Sequence, residues 1–302
     1  MRRRLIVIGL AILAPAAVAQ LKPPDTTIRT EEVAPGIYML IGQGGNIGVS
    51  TGPDGSFLID DQYAPMTPAV IAALKDLNAP PPRFVLNTHW HGDHTGGNEN
   101  LGKAGAVLVA HEQVRARMSV DQFNKFLENA TPASPQAALP IVTFNDAITF
   151  YLNGDEIHGV FVPHAHTDGD VFVHFRKANV IHTGDVFFRF YPFIDGSSGG
   201  SLAGLIAAVD RILAIADDKT RIIPGHGPLA NRADLVEYRE MLLTTSGRIR
   251  DLMKAGKTAD EIVAAAPNAD YDKRWAWAFI TPERYTRMVY ELLDRELNPD
   301  RT

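Results

Sequence analysis

The sequence predicts an α/β protein in which two packed sheets are flanked by helices. Strand-rich blocks occur twice along the chain, and each is followed by helix, as in layered sandwiches that share a core. No tandem repeat and no low-complexity linker separates the blocks. The 302 residues, 45% hydrophobic and 21% charged, have a globular composition rather than a disordered or fibrous one. They suffice for one large domain, with or without an extension.

"MRRRLIVIGLAILAPAAVAQ" opens the chain with Arg2, Arg3 and Arg4, followed by an apolar run from Leu5 to Leu13 that is too short to span a bilayer. Ala17-Val18-Ala19 then forms a small-x-small cleavage site. Residues 1–19 therefore read as a signal peptide cleaved before Gln20; the alternative is an uncleaved anchor. The expected location is periplasmic or secreted, without stable membrane insertion after cleavage, because no later stretch is apolar enough to span. Cleavage removes three of the 29 basic residues and no acid, leaving 26 against 35 acidic residues, a net charge of −9. An acidic chain is a poor partner for nucleic acid, whose phosphates must be neutralised. With no cysteine, no disulfide can form after export, so the core and any bound metal must hold the fold.

"PGIYMLIG" (35–42) and "SFLIDD" (56–61) have strand character, and the intervening "QGGNIGVSTGPDG" ends in Pro53-Asp54-Gly55, a hairpin signal. Met66 to Leu77 carries Val70, Ile71, Leu74 and Leu77 at helical spacing and stops before the prolines at 80–82. "RFVLN" (83–87) and "AGAVLVA" (104–110) are short strands, and "HEQVRARM" (111–118) begins a helix. From 141, "IVTF", "AITFYL", "EIHGVFVP", "DVFVHF" and "NVIHTGD" succeed one another as strands. Leu202 to Ile215 is an amphipathic helix, and "TRIIPGHGP" (220–228) is a strand leading into a loop. Helices fill the rest, with a capping box at Thr258–Glu261 and Pro282 at a first helical position. The main domain is expected over 20–245, and a helical extension packed on it over 246–302.

The chemistry concentrates in "THWHGDHTGGN" (88–98), which holds three of the chain's ten histidines. His89 and His91 alternate across Trp90, so in extended chain both imidazoles face one way and can bind one ion. Gly92 permits a sharp turn, after which Asp93 and His94 can face a second ion. Histidine nitrogen and carboxylate oxygen suit zinc, with iron or manganese as alternatives. Two ions need further ligands, and three strand-end loops offer them: "VPHAHTDGD" with His164 and His166, "IHTGDV" with Asp185, and "IIPGHGP" with His226. On residue type alone, His164 and His166 are equivalent candidates. His174 and His182, within strands, and His111, opening a helix, read as structural.

His89-x-His91-x-Asp93-His94, followed in order by His166, Asp185 and His226, resembles the metallo-β-lactamase superfamily from about residue 30 to 245. The resemblance implies a four-layer αββα sandwich with a dinuclear site at one edge and the 246–302 helices beside it. It selects His166, which Thr167 follows, and leaves His164 beside the site. It assigns His89, His91 and His166 to a first ion, Asp93, His94 and His226 to a second, and Asp185 as a bridge. It also gives Asp60 a role supporting the histidine loop. The best-known zinc β-lactamases have cysteine where this chain has Asp185, which resembles the branch of lactonases and thioester hydrolases.

The implied activity is hydrolysis of a small acyl substrate by a metal-bound hydroxide that Asp93 orients, without a covalent enzyme intermediate. No G-x-S-x-G elbow offers a serine route. Export favours a β-lactamase-like hydrolase first, opening cyclic amides or esters. A lactonase, esterase or glyoxalase II-like thioesterase comes second. An iron-dependent oxygenase or a non-catalytic metal-binding protein is the alternative of another class. "VFFRFYPFIDGSSGGS" (186–201) reads as a mobile aromatic substrate flap, with Arg189 as a carboxylate anchor and Tyr191 as a pocket residue; Trp90 is a further pocket candidate. The sequence leaves the oligomeric state open.

Overall fold

The computed structural model describes residues 25–298. The signal-peptide reading of 1–19 lies outside the described residues. The first sheet collects β1 (Arg29–Ala34), β2 (Ile37–Ile41), β3 (Ile47–Ser50), β4 (Ser56–Ile59), β5 (Pro82–Asn87), β6 (Val107–His111) and, beyond a small hairpin of β7 (Gln122–Asn124) and β8 (Asn129–Thr131), β9 (Val142–Phe144). It is an antiparallel meander through β4 and parallel from β4 to β9. The second sheet takes β10 (Ala147–Leu152), β11 (Asp155–Phe161), β12 (Val171–Phe175), β13 (Val180–His182), β14 (Arg221–Ile223) and β15 (Ala230–Asn231) in that order. Only its β13–β14 pairing is parallel.

Side-chain alternation assigns each residue to a layer. On β4, Phe57 and Ile59 point into the space between the sheets, where Leu86, Ile157, Val173 and Phe175 meet them. Leu58 points the other way and packs with Val70 and Leu74 of α1 (Thr67–Asp76). Two short helices, α2 (Gly92–Thr95) and α3 (Asn98–Lys103), and then α4 (Glu112–Met118) complete that side. The outer face of the second sheet, through Val160, Phe172, Ile181 and Ile222, is covered by α5 (Leu202–Ile215) and α6 (Arg232–Lys254). This is the four-layer αββα sandwich. The central strands are buried on both faces, which explains the near-continuous apolar runs of β3, β4 and β12.

Two expectations change. The stretch 43–55, read as a connection, contains the internal strand β3. Its Gly48 faces His182 so closely that a Cβ would stand 2.9 Å from the imidazole. No break occurs at 245/246, where α6 runs through and buries Tyr238, Met241, Leu242, Thr245 and Ile249 on one stripe. Beyond it α7 (Ala259–Ala265), α8 (Ala269–Trp275) and α9 (Pro282–Leu297) share the core of the second sheet's outer layer. The capping box at Thr258 and the proline start of α9 are as the sequence indicates.

Candidate metal centre

Every strand that feeds the centre ends at the same edge of the sandwich. β4 delivers Asp60, β5 delivers the 88–95 loop, β11 leads towards His166, β13 delivers Asp185 and β14 delivers His226. The ligand atoms converge in two groups, within each of which they lie no more than 4.8 Å apart. His89, His91, His166 and Asp185 form one, and Asp93, His94 and His226 the other. Within the second group His94 Nε2 is 3.4 Å from His226 Nε2, and between the groups His226 Nε2 is 3.6 Å from Asp185 Oδ2. Asp185 contacts histidines of both groups, with Oδ2 3.5 Å from His166 Nε2 and Oδ1 3.1 Å from His94 Nε2.

Most of the imidazoles are tethered by the outer nitrogen, which leaves the inner one bare. His166 donates Nδ1–H to the Phe193 carbonyl at 2.8 Å, and His94 donates Nδ1–H to Asp60 Oδ2 at 2.7 Å. Thr88 gives its one hydroxyl proton to Asp60 Oδ2 at 2.8 Å, so its lone pair receives Nδ1–H of His89 at 3.0 Å. His91 turns Nε2 to Asp195 Oδ2 at 3.0 Å and presents Nδ1, 2.9 Å from His166 Nε2. Buried His89 Nε2 has no hydrogen-bond partner at all. A buried nitrogen with no partner, at the focus of other bare nitrogens and two carboxylates, fits a divalent cation and little else.

Charge in the metal-free chain divides along the same line. Burial, reinforced by the charge on His94, holds His89 well below the usual imidazole range, and burial holds His166 down at about 4. Burial opposes charge on His94 and His226 too, but Asp185 and Asp93 outweigh it. They raise His94 and push His226 up to about 9. Burial alone would raise Asp93 and Asp185; the cationic His94 and His226 hold both carboxyls below their ordinary range instead.

The backbone approaches the centre where side chains are missing. A Cβ on Gly225 would lie 2.0 Å from Asp185 Oδ1, and one on Gly45 2.1 Å from His94 Cε1. Asp60 sits in the left-handed region at φ 65°, which turns its carboxylate off the end of β4 and under the histidine loop. Its other oxygen accepts Thr88 N–H at 2.7 Å.

Of the remaining candidates, Trp90 lines the cavity above the centre, its ring 4.8 Å from that of His91. The others are elsewhere. His164 is exposed at φ 52°, with Nδ1 on the Gly199 carbonyl. Tyr191 is fully buried, stacks on Tyr285 at 4.0 Å and donates its hydroxyl to Asp272. Arg189 is ion-paired with Asp234 at the start of α6. The 186–201 segment is no open flap. Phe187, Phe188, Phe193 and Ile194 are buried, because α6 and the helices after it supply an apolar surface for them. The same segment holds Asp195, the partner of His91, which the sequence reading missed; only its helix-capping Asp-Gly-Ser-Ser context marked it. Burial would raise Asp195, but its hydrogen bond to His91 holds it well below the usual range. Also missed was Tyr63, which lines the cavity and is pushed up to about 12 by burial and by Asp93.

An αββα sandwich with clustered histidines and aspartates at the strand ends is the architecture of a metal-binding hydrolase fold. The chain belongs to the metallo-beta-lactamase superfamily, whose sequence profile matches residues 37–226. A lactamase-like protein, nscB, of Arthroderma gypseum is 34% identical over 102 residues, which are 34% of this chain and 26% of that protein. A hydroxyacylglutathione hydrolase of Erythrobacter litoralis is 28% identical over 105 residues, 34% of this chain and 34% of that one. These matches thus span only about a quarter to a third of the relatives' lengths. Among solved structures, a metallo-beta-lactamase from Pontibacter korlensis superposes with TM-score 0.59 at 19% identity, over 72% of this chain and 99% of its own. An inverting sec-alkylsulfatase from a Pseudomonas species superposes with TM-score 0.63 at 19% identity, over 87% of this chain and 50% of its own. At such identities the superpositions bear on the fold alone.

Proposed function

We propose that this chain is an exported hydrolase that uses two divalent ions, zinc first and iron or manganese as alternatives, to cleave a small acyl substrate. The observation that carries the reading is the set of inward-facing candidate ligand atoms beneath an open cavity of about 500 Å³. That volume suits a small molecule. The ions would supply Lewis acidity and an activated water. His89, His91 and His166 would hold one, Asp93, His94 and His226 the other, and Asp185, which contacts histidines of both groups, would serve both. Asp93 borders the cavity, and its carboxylate would orient the attacking water and take its proton. Trp90 and Phe188 shield the centre from bulk water on either side.

Within the acyl class, lactones and other esters move ahead of β-lactams, because the Arg189 guanidinium is committed to Asp234 and does not line the cavity. The hydroxyacylglutathione hydrolase relative keeps thioesters in view. Export rests on Arg2–Arg4 and Ala17-Val18-Ala19 and is tested by intact mass of protein recovered outside the cytoplasm. No helix among the described residues is long and apolar enough to cross a membrane.

The test is metal analysis of protein purified without added metal, followed by a hydrolysis screen with lactones, β-lactams, aryl esters and thioesters. Two ions per chain with turnover in one acyl class supports the reading. A single iron without hydrolysis points to oxygenase chemistry. Stable metal without any turnover makes the chain a metal-binding protein.

A further inference from the structure

The matched family profile ends at residue 226, yet the wall of the cavity does not. Trp277 and Phe279, from the turn between α8 and α9, complete it. Trp277 stands 5.9 Å from the His226 ring, stacks on Phe190 at 5.2 Å and donates Nε1–H to the Tyr191 carbonyl. Phe279 meets Trp277 at 5.5 Å and Phe193 at 5.9 Å. Phe188 lies flat against His226 at 5.3 Å, with 8° between the rings. Trp90 closes the far side beside His91. The segment after the family core therefore adds an aromatic face directly over the second ligand group. Hydrogen bonds and stacking hold that face in place, so it is formed before any ligand arrives.

Charge around the cavity is as informative. Among the described residues lining it, none is lysine or arginine, and the only carboxylates are the ligand candidates Asp93 and Asp185. Apart from the ligand candidates His91 and His226, the polar remainder, Gln43, Tyr63, Asn124, Asn129 and Thr131, is uncharged at neutral pH. Two arginines beside the aromatic wall are committed elsewhere. Arg189 is paired with Asp234, and Arg284 donates to the Phe279 carbonyl at 2.8 Å while lying over the rings of Phe126 and Phe279. Arg284 thus braces the wall from outside the cavity lining. An anionic group on a substrate, away from the metals, would lose water here and gain no partner. A flat apolar group would gain aromatic contact on several sides.

Resting on the hydrolase reading above, we propose that the Trp277–Phe279 turn is the specificity element of this site. It selects uncharged acyl compounds that carry a flat apolar group over compounds bearing a carboxylate or other anion. The metals bind the reacting acyl group; the turn binds what is attached to it.

The test uses the full-length, metal-loaded protein and two matched pairs. The first pair is 4-nitrophenyl heptanoate and 4-nitrophenyl hemiadipate, alike in length, of which the second ends in a carboxylate. The second pair is N-phenyl-1-naphthylamine and its 8-sulfonate, whose binding is followed by fluorescence. The neutral ester should exceed the acid at least tenfold in kcat/KM, chiefly through KM, and the neutral dye should bind at least tenfold more tightly than the sulfonate. Trp277→Ala should raise KM for the neutral ester at least threefold and erode both preferences, with metal content unchanged. Phe279→Leu serves the same purpose if Trp277→Ala does not fold. Equal handling of the charged and neutral members overturns the proposal. So does a preference for the anion that Arg284→Gln abolishes, or wall variants that alter neither pair. If neither ester is cleaved while the dyes still discriminate and Trp277→Ala removes the discrimination, the hydrolase reading falls and the selectivity of the pocket stands.

Discussion

Asp60→Asn isolates what the carboxylate beneath the histidine loop does. Asp60 is wholly buried and accepts three hydrogen bonds, from Thr88 N at 2.7 Å, Thr88 Oγ1 at 2.8 Å and His94 Nδ1 at 2.7 Å. Asparagine tolerates the left-handed backbone found at this position, so the substitution changes chemistry rather than conformation. Its amide oxygen can still accept from Thr88 N, but its NH₂ group then confronts His94 Nδ1–H. His94 resolves the clash by moving its proton to Nε2, the atom that points at the centre, and the ligand is lost. Loss of such a supporting group typically weakens metal affinity by about 10- to 100-fold, or roughly 1.4–2.7 kcal/mol. The disruption of a buried charge-assisted network adds about 3 kcal/mol of destabilisation in the metal-free protein. Chelator competition for each ion, together with urea denaturation of the metal-free chain, measures both quantities. The second ion should be affected more than the first, since His89 reaches Asp60 only through Thr88. Wild-type affinity for both ions in Asp60→Asn, in a protein whose stability is also unchanged, would refute the reasoning.

Three further expectations concern other groups. Asp185→Asn should weaken both ions because it removes the one carboxylate that contacts both groups, whereas His226→Ala should chiefly empty the second site; metal stoichiometry after gel filtration decides, and unchanged stoichiometry in both defeats the ligand assignment. Uptake of the second ion should strengthen as pH rises through about 9, because His226, pushed up to about 9, and the likewise raised His94 must first lose their protons, while the first site, where burial keeps His89 and His166 neutral, should vary less over that interval. By the same linkage, the raised His226 value stabilises the metal-free fold fully below pH 6.5, and this contribution is lost as pH rises through about 9; a urea midpoint that does not fall over that interval contradicts it. Arg189→Ala should cost about 1–2 kcal/mol of stability, because it removes the ion-pair partner of the partly buried Asp234, and should leave KM unchanged for charged and neutral substrates alike; a selective rise for carboxylate-bearing substrates would return Arg189 to the site.

What the sequence by itself determined is what short segments decide. Side-chain alternation is a property of a few consecutive residues, so β4, β5, β12 and the order of layers could be read directly. The candidate ligands were equally legible, because four of them lie in six positions and the other three each follow an apolar strand at a glycine- or proline-bearing turn. Even there, His166 and His164 were equal by residue type. The structure separates them through the Phe193 carbonyl, which aims His166 inward, and the left-handed turn at His164, which carries its side chain to the surface. Tertiary structure alone decided the partners of the ligands and the wall of the cavity. Asp195 reaches His91 across 104 positions, and Trp277 reaches the Tyr191 carbonyl across 86. The aromatic run 186–201 resembled a mobile flap because its glycines and serines are local features. The helices that bury it begin more than thirty residues later, at Arg232, and nothing within the run itself encodes them. Arg189 met Asp234 for the same reason. Local sequence sets which groups a loop carries, but a charge or ring is committed to whatever surface the rest of the chain folds against it.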